Sequence, residues 1–305
     1  MENLSIFTKR GVLLGAVRFS ATNNDIVSRE TYITNLLSAP AKTTADTVVI
    51  AITGIHGNFY SNPFYYNIGN TLRSENIDFI YAQTNNAFPQ IQSFNVKTQS
   101  IEMIGSYNER FSYTLEDIAA YIDFAEEQGY KHIILAGHSM GANKVLYYLA
   151  TTQDKRIEHF LLLSPADLTY MMQGVTNEQK TLIRALKVQG LGNKKLPFLL
   201  MGWVDCLVDT AYDWISDIQI NNVPVSNEAT KAMFQNICHT GALLIGTYDT
   251  FTAGNPVGFL EGINQYLPKQ KDNTFIIIEK TGHTYQQKEQ EVADKILAIV
   301  KEWRA

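Results

Sequence analysis

The chain has 305 residues, a length that suits one or two domains and that a single α/β domain can reach. Hydrophobic residues make up 45% of it and charged residues 18%, with only 8 prolines, which excludes a disordered protein. The net charge is −5 and no dense stripe of Lys and Arg is present, so the chain lacks the electrostatic footprint of a nucleic-acid-binding protein.

The cysteine content and the absence of certain motifs indicate the compartment of the protein and whether it needs a cofactor. The two cysteines, Cys206 and Cys238, form neither a disulfide framework nor a metal-ligand spacing, which favours a reducing compartment and predicts a cytoplasmic protein. No segment reaches the roughly 18–20 apolar residues of a membrane span. The apolar run 11–17 is short for a signal peptide, and we interpret it as part of a strand. There is no HExxH pattern or Gly-rich phosphate loop, so we predict no metal and no cofactor.

In the first half of the chain, apolar runs predict strands separated by helices. Residues 11–20 are predicted as the opening strand, followed by a polar, poorly patterned stretch to Asp46. The β-branched run 47–53 is typical of a strand buried on both faces. The remaining elements here are a helix over 61–76, a strand over 77–81, a loop with little regular structure over 85–112, and a helix that starts near Thr114 and ends at Gly129.

The stretch 131–142, KHIILAGHSMGA, is predicted to be a buried strand that breaks at a glycine and continues at once into a helix. Its Gly137-x-Ser139-x-Gly141 pattern is typical of a nucleophile elbow, in which a strained turn presents a serine hydroxyl. The glycines allow unusual backbone angles and keep side chains out of the contact between strand and helix. The motif is short enough to arise by chance, so the rest of the sequence must show whether Ser139 is a nucleophile.

Beyond the elbow the alternation continues, with strands predicted at 160–163, 241–246 and 274–278 and a last helix whose apolar residues share one face. This order predicts an α/β fold: a mostly parallel sheet with helices on both faces. Residues 1–167 and 241–305 form the predicted core of a single structural domain. Residues 168–240 interrupt the alternation. We interpret them as a mostly helical cap that lines an apolar pocket, the alternative being additional core.

A serine nucleophile needs a base, and six histidines are candidates. His283 follows the last strand, which places it at the carboxyl edge of the sheet, where open α/β folds carry their sites. The other five are less suitable: His132 and His159 begin strands, His239 precedes one, His56 lies in the turn after 47–53, and the side chain of His138 should point away from the serine.

The acid that orients the base has three candidates. Asp205 and Asp249 both follow a strand, a glycine and two further residues. Asp249 is favoured because it precedes His283 with room for only one helix between them, whereas another strand separates Asp205 from His283. Asp167, after the preceding strand, is a further alternative, and an aspartate in such a position can also simply cap a helix.

The oxyanion of an acyl-transfer transition state needs two backbone N–H donors. One is predicted at Met140, directly after the nucleophile. The other should come from the turn after 47–53, with Ile55 as donor if the turn begins at Gly54, or Asn58 if it begins at His56-Gly57. We prefer Ile55 because the buried run stops at Thr53.

The order Ser139, Asp249, His283 resembles that of the α/β-hydrolase superfamily, over nearly the whole chain. Gly-His-Ser-Met-Gly is a common elbow there among esterases and lipases. The run 53–58 looks like the family's His-Gly-x-x-Gly-Asn turn with threonine in place of the first histidine. The Arg-Gly-His-Gly that often follows the fourth strand is replaced by Gln83-Thr84-Asn85-Asn86, and no subfamily is identified.

The resemblance implies a serine hydrolase that cleaves a carboxylic ester or thioester through an acyl-enzyme. We expect a small-molecule substrate with an apolar or aromatic acyl group, contacted by His56, Asn58 and Trp203. Two alternatives stay open. The same residues could transfer the acyl group to an acceptor, as in an acyltransferase or cyclase, or the chain could be a non-catalytic ligand-binding protein on a hydrolase scaffold.

Overall fold

The structure, a computed structural model, describes residues 1–21, 43–217 and 219–305. Most of the polar stretch predicted before Asp46 lies outside the described residues. An eight-stranded sheet has the strand order β1-β2-β4-β3-β7-β8-β9-β10, and β5 and β6 form a separate hairpin. The strands are β1 Glu2–Phe7, β2 Leu13–Phe19, β3 Thr47–Ile52, β4 Asp78–Ala82, β5 Ile91–Asn95, β6 Ser100–Ile104, β7 His132–His138, β8 Ile157–Leu163, β9 Thr240–Gly246 and β10 Thr274–Ile278.

Six neighbouring strands, from β4 through β3, β7, β8 and β9 to β10, run parallel, and β1 and β2 add an antiparallel edge. Every residue of β3 is buried, as expected for a β-branched strand covered on both faces. Because the six strands are parallel, the loops that follow them meet at one edge of the sheet. The predicted fold class is confirmed.

Helices cover both faces of the sheet. One apolar cluster joins the sheet to α2 (Tyr113–Gln128), α3 (Met140–Thr152) and α8 (Pro256–Asn264). A second cluster joins the opposite face to α1 (Phe64–Arg73) and α9 (Glu289–Trp303). The predicted last helix is α9, and its buried residues include Val292, Ile296 and Val300.

The segment between β8 and β9 contains α4 (Leu168–Met171), α5 (Asn177–Val188), α6 (Val208–Ser216) and α7 (Glu228–Phe234). A third apolar cluster joins this segment to the core through Phe111, Met140 and Tyr147. The segment therefore rests on the start of α3, which immediately follows the elbow serine.

Three predictions of secondary structure were wrong. The stretch before Asp205 is not a strand, because it contains only the isolated bridges Lys195–Leu207 and Leu200–Val204. The strand at 11–20 is not the first, because β1 precedes it; β1 alternates exposed and buried residues, so it has no continuous apolar run. The loop predicted over 85–112 contains the β5–β6 hairpin. Most residues of this hairpin are exposed or half-buried, so its sequence carries little of the apolar signal that identifies a core strand.

Candidate active site

Ser139 lies between β7 and α3 with φ 56° and ψ −131°, backbone angles that non-glycine residues rarely adopt. The neighbouring backbones pack too closely for larger residues. A Cβ atom on Gly141 would lie 2.3 Å from the carbonyl oxygen of Ile52, and one on Gly137 would lie 2.4 Å from the carbonyl oxygen of Gly141. The glycines thus have the packing role that their sequence spacing indicated.

The turn after β3 lies against the serine, since a Cβ atom on Gly54 would be 3.3 Å from the Ser139 Oγ. Hydrogen bonds within and around this turn use most of its N–H groups. The His56 N–H donates to the Asn86 carbonyl at 2.9 Å, and the Asn58 N–H donates to the Ser61 Oγ at 2.8 Å. Within the described ranges, the Ile55 N–H has no acceptor. Met140 is the first residue of α3, a position whose N–H has no partner inside a helix.

His283 and Asp249 lie on the loops after β10 and β9, and His283 Nδ1 is 2.9 Å from Asp249 Oδ2. The other carboxylate oxygen accepts the Phe251 N–H at 2.9 Å. Burial alone would raise the pKa of Asp249, but the hydrogen bond and charge of His283, with further hydrogen bonds, hold it below its usual value. An ionised carboxylate at Nδ1 places the ring proton there and leaves Nε2 as the basic nitrogen.

Ser139 and His283 line the same cavity, of about 240 Å³. Its remaining walls are largely apolar or aromatic and include Ile55, His56, Met171, Trp203 and Phe251. The Phe251 ring lies 4.3 Å from the His283 ring, and the rings of His56 and Trp203 meet edge to face at 5.4 Å. The cavity can therefore hold a small molecule with an apolar part next to the serine hydroxyl.

Asn58, expected at the substrate, is not among the residues that line the cavity. Its Nδ2 donates to the carbonyls of His56 and Ala87, at 3.1 and 3.0 Å, so its side chain stabilises the turn. The alternative acids are also engaged elsewhere. Asp205 pairs with Lys195 at 2.6 Å, and Asp167 caps α4 by accepting the Tyr170 N–H.

His138 lies against the base, contrary to the expectation that its side chain points away from the serine site. Its ring is 4.8 Å from the His283 ring, and its Nε2 is 2.7 Å from the His283 carbonyl oxygen. Burial lowers the pKa of His138 to about 3, so the ring is neutral at ordinary pH and its Nε2–H donates to that carbonyl. Sequence reasoning missed this contact because it joins residues 145 positions apart.

The other wall residues differ in how far the sequence could reveal them. Phe251 follows Asp249 by two residues, so the predicted loop position could have identified it. Met171 belongs to the interval 168–240, whose apolar residues were predicted to line a pocket.

The remaining histidines lie elsewhere: His132 pairs with Glu158, His159 stacks on Trp303, and His239 donates to the Asp154 carbonyl. In the part of the chain that the structure describes, no group of His, Cys, Asp and Glu is arranged to hold a metal ion. Within the same residues, no helix combines the length and the apolar character that crossing a bilayer requires.

The family model described as serine aminopeptidase, S33, matches residues 103–201, a stretch that includes Ser139 but neither Asp249 nor His283. Comparison with curated proteins gives no significant match.

Solved structures resemble this one over nearly their whole length. Est1E from Butyrivibrio proteoclasticus, in a structure with bound ferulic acid, has a TM-score of 0.62 at 16% identity, covering 98% of each chain. DcsB, in complex with its substrate analogue, has a TM-score of 0.66 at 13% identity over 99% of this chain and 98% of its own. A monoacylglycerol lipase from Paleococcus ferrophilus has a TM-score of 0.59 at 15% identity over 93% and 97%. At these identities the likeness concerns the fold.

Proposed function

We propose that this chain, which has the fold of the α/β-hydrolase superfamily, is a serine hydrolase that cleaves a carboxylic ester or thioester. One observation carries the proposal. A serine held at strained backbone angles shares a cavity with a histidine whose Nδ1 is bonded to a buried aspartate. This arrangement is the one that activates a hydroxyl for attack on a carbonyl carbon.

In the proposed reaction, the Ser139 Oγ attacks the substrate carbonyl and passes its proton to His283 Nε2. Asp249 stabilises the imidazolium that results. His283 then gives the proton to the leaving alcohol or thiol as the carbonyl–heteroatom bond breaks, which leaves an acyl-enzyme. Water, deprotonated by the same histidine, releases the acid and restores the Ser139 hydroxyl.

The oxyanion donors in this proposal are the N–H groups of Ile55 and Met140. Hydrogen bonds support Ile55 over the alternative, since the Asn58 N–H already donates to Ser61. An N–H that is engaged in the resting protein would have to break its bond in order to stabilise developing charge, which preorganised donors avoid. The acid is Asp249, because Asp205 and Asp167 are bonded to groups other than the base.

Residues 168–240 act as a cap in this proposal, and supply Met171 and Trp203 to the cavity wall. With Phe251 and Ile55, these side chains favour a substrate with an apolar or aromatic acyl group. The ferulic acid bound to Est1E, a neighbour in fold, is an aromatic acid and agrees with this substrate class. A cytoplasmic location stays a prediction from the cysteine content.

Ser139→Ala tests the mechanism. We expect it to lower kcat on a chromogenic ester by about four to six orders of magnitude, because the nucleophile is lost. A fluorophosphonate probe should label the wild type and not the variant, and the two circular dichroism spectra should agree. Ser74→Ala removes the hydroxyl at the end of α1, on the surface, and should behave as wild type. Full activity of Ser139→Ala, or a folded wild type that neither reacts with the probe nor cleaves any ester in an acyl series, would refute the proposal.

A further inference from the structure

A buried polar cluster lies behind the turn that carries Ile55, and the proposed reaction uses none of its side chains. It consists of Thr84, Asn86, Glu109 and Lys144, all buried. Lys144 Nζ is 2.6 Å from Glu109 Oε1 and 3.1 Å from the Thr84 Oγ1. The Thr84 hydroxyl in turn donates to Asn86 Oδ1 at 3.0 Å.

Stability alone does not explain this cluster. Removing an ion pair from water carries a desolvation penalty that can exceed the attraction between the charges, so a buried pair is weak evidence of a stabilising role. Burial raises the pKa of Glu109, against the opposing effects of Lys144 and of a hydrogen bond from Asn86. Lys144 lies one turn after Met140 on α3, so the pair is attached to the helix that begins at the nucleophile.

Asn86 connects the two segments that carry the proposed oxyanion donors. Its backbone carbonyl accepts the His56 N–H at 2.9 Å, which holds the residue next to Ile55. Its side-chain Nδ2 lies 3.6 Å from Met140 Sδ, within the range of a hydrogen bond to sulfur. Asn86 therefore contacts His56, the residue after the donor Ile55, and the side chain of the donor Met140.

We propose that Asn86 is a positioning residue that holds the donors Ile55 and Met140 in place, and that the Lys144–Glu109 pair fixes its side chain through Thr84. The inference rests on the proposed function, since it needs an oxyanion to stabilise. Catalytic groups must be held to within about 0.5 Å of their productive geometry, which requires supporting side chains that are themselves fixed. Asn86 is fixed on both sides, by its backbone bond to the turn and by Thr84.

The test compares Asn86→Ala and Thr84→Val with the wild type. Thr84→Val is nearly isosteric and removes only the hydroxyl that joins Lys144 to Asn86. It therefore tests the same proposal if Asn86→Ala does not fold. We expect kcat to fall about 10- to 100-fold in each variant, less than the loss of an oxyanion donor itself, with KM within about threefold of the wild-type value.

A second readout separates positioning from general damage. A trifluoromethyl ketone analogue reacts with the Ser139 Oγ to give a hemiketal oxyanion, with the serine proton held by His283. Its affinity should fall by the same factor as kcat/KM in both variants. The affinity of the methylene analogue, which has no carbonyl group, should stay at the wild-type value.

Asn264→Ala is the matched control. Asn264 is buried, donates to the Gln270 carbonyl and accepts from Asn273 at the start of β10, and does not line the cavity. It should lower the melting temperature without changing kcat of the folded protein.

If the wild type is active but both cluster variants keep the wild-type kcat and the wild-type affinity for the trifluoromethyl ketone, the role of Asn86 is refuted while the proposed function stands. A wild type with no esterase activity and no probe labelling refutes the proposed function instead.

Discussion

At the scale of single residues, two hydrogen-bond donors keep the buried carboxylate of Asp249 ionised. Its carboxylate is fully buried, yet it accepts hydrogen bonds from His283 and from the Phe251 N–H, so its pKa stays below the usual value. Asp205 also follows an apolar run, a glycine and two further residues, but it is one-third exposed and pairs with Lys195. A partly exposed ion pair of this kind contributes little stability and orients no other group.

The two aspartates provide a matched pair of isosteric variants. Asp249→Asn should lower kcat about 10³- to 10⁴-fold, because the amide no longer favours the His283 tautomer with a basic Nε2 and does not stabilise the imidazolium. Asp205→Asn should leave kcat within about twofold, since it touches only a surface pair. Steady-state kinetics on one ester, with melting temperatures for both variants, measures the difference. A large loss in Asp205→Asn alone would reverse the assignment.

At the scale of elements, the start of α3 lies against the end of β3. A Cβ atom on residue 141 would collide with the Ile52 carbonyl oxygen, so only glycine fits there. This close approach of helix and strand puts the elbow turn, and with it Ser139, next to Gly54 of the neighbouring turn. The separation of these two elements therefore sets the distance between the proposed nucleophile and the turn that carries the proposed donor Ile55.

Gly141→Ala should lower the free energy of unfolding by about 2–4 kcal/mol, because backbone atoms of β3 and α3 must move apart to admit the methyl group. Gly262→Ala is the control, also a helical glycine but with nothing within 4 Å of the added Cβ. It should raise the free energy of unfolding by about 0.5–1 kcal/mol through helix propensity. Urea denaturation of both variants gives the comparison, and equal effects would contradict the packing argument.

At the scale of the whole molecule, the cavity is shared between the sheet core and the segment 168–240. Trp203 of that segment meets His56 of the core, and Leu207 donates its N–H to the Tyr107 carbonyl at 2.8 Å. The Thr210 hydroxyl donates to the same carbonyl. The proposed cap is thus attached to the core by hydrogen bonds as well as by apolar packing, and residues of both parts line the cavity.

Trp203→Ala should lower kcat/KM for esters with aromatic or long acyl groups about tenfold, and leave acetyl esters within about twofold, because only the larger acyl groups reach the indole. An acyl series measured with both proteins tests this. Tyr60→Ala is the control, since Tyr60 is 89% exposed and does not line the cavity. A uniform loss across the series would show that Trp203 supports the site without selecting the substrate.

Much of the fold could be read from local patterns. Continuous apolar runs identified β3, β7 and β9, because strands buried on both faces need apolar residues at nearly every position. An apolar run also identified the edge strand β10, although Phe275 is exposed there. The glycine spacing identified the elbow, and the chain order of strands brought Asp249 and His283 to the same edge. These inferences concern properties of short segments, which the sequence carries directly.

Contacts between distant segments could not be read in this way. The strand β1 pairs with β2, and β5 pairs with β6, but none of β1, β5 and β6 has a continuous buried run of its own. The placement of His138 against His283, and of Asn86 between His56 and Met140, depends on distances across the sheet edge. The choice between Ile55 and Asn58 likewise rests on which N–H group is already bonded, and that depends on how the whole chain folds around the turn.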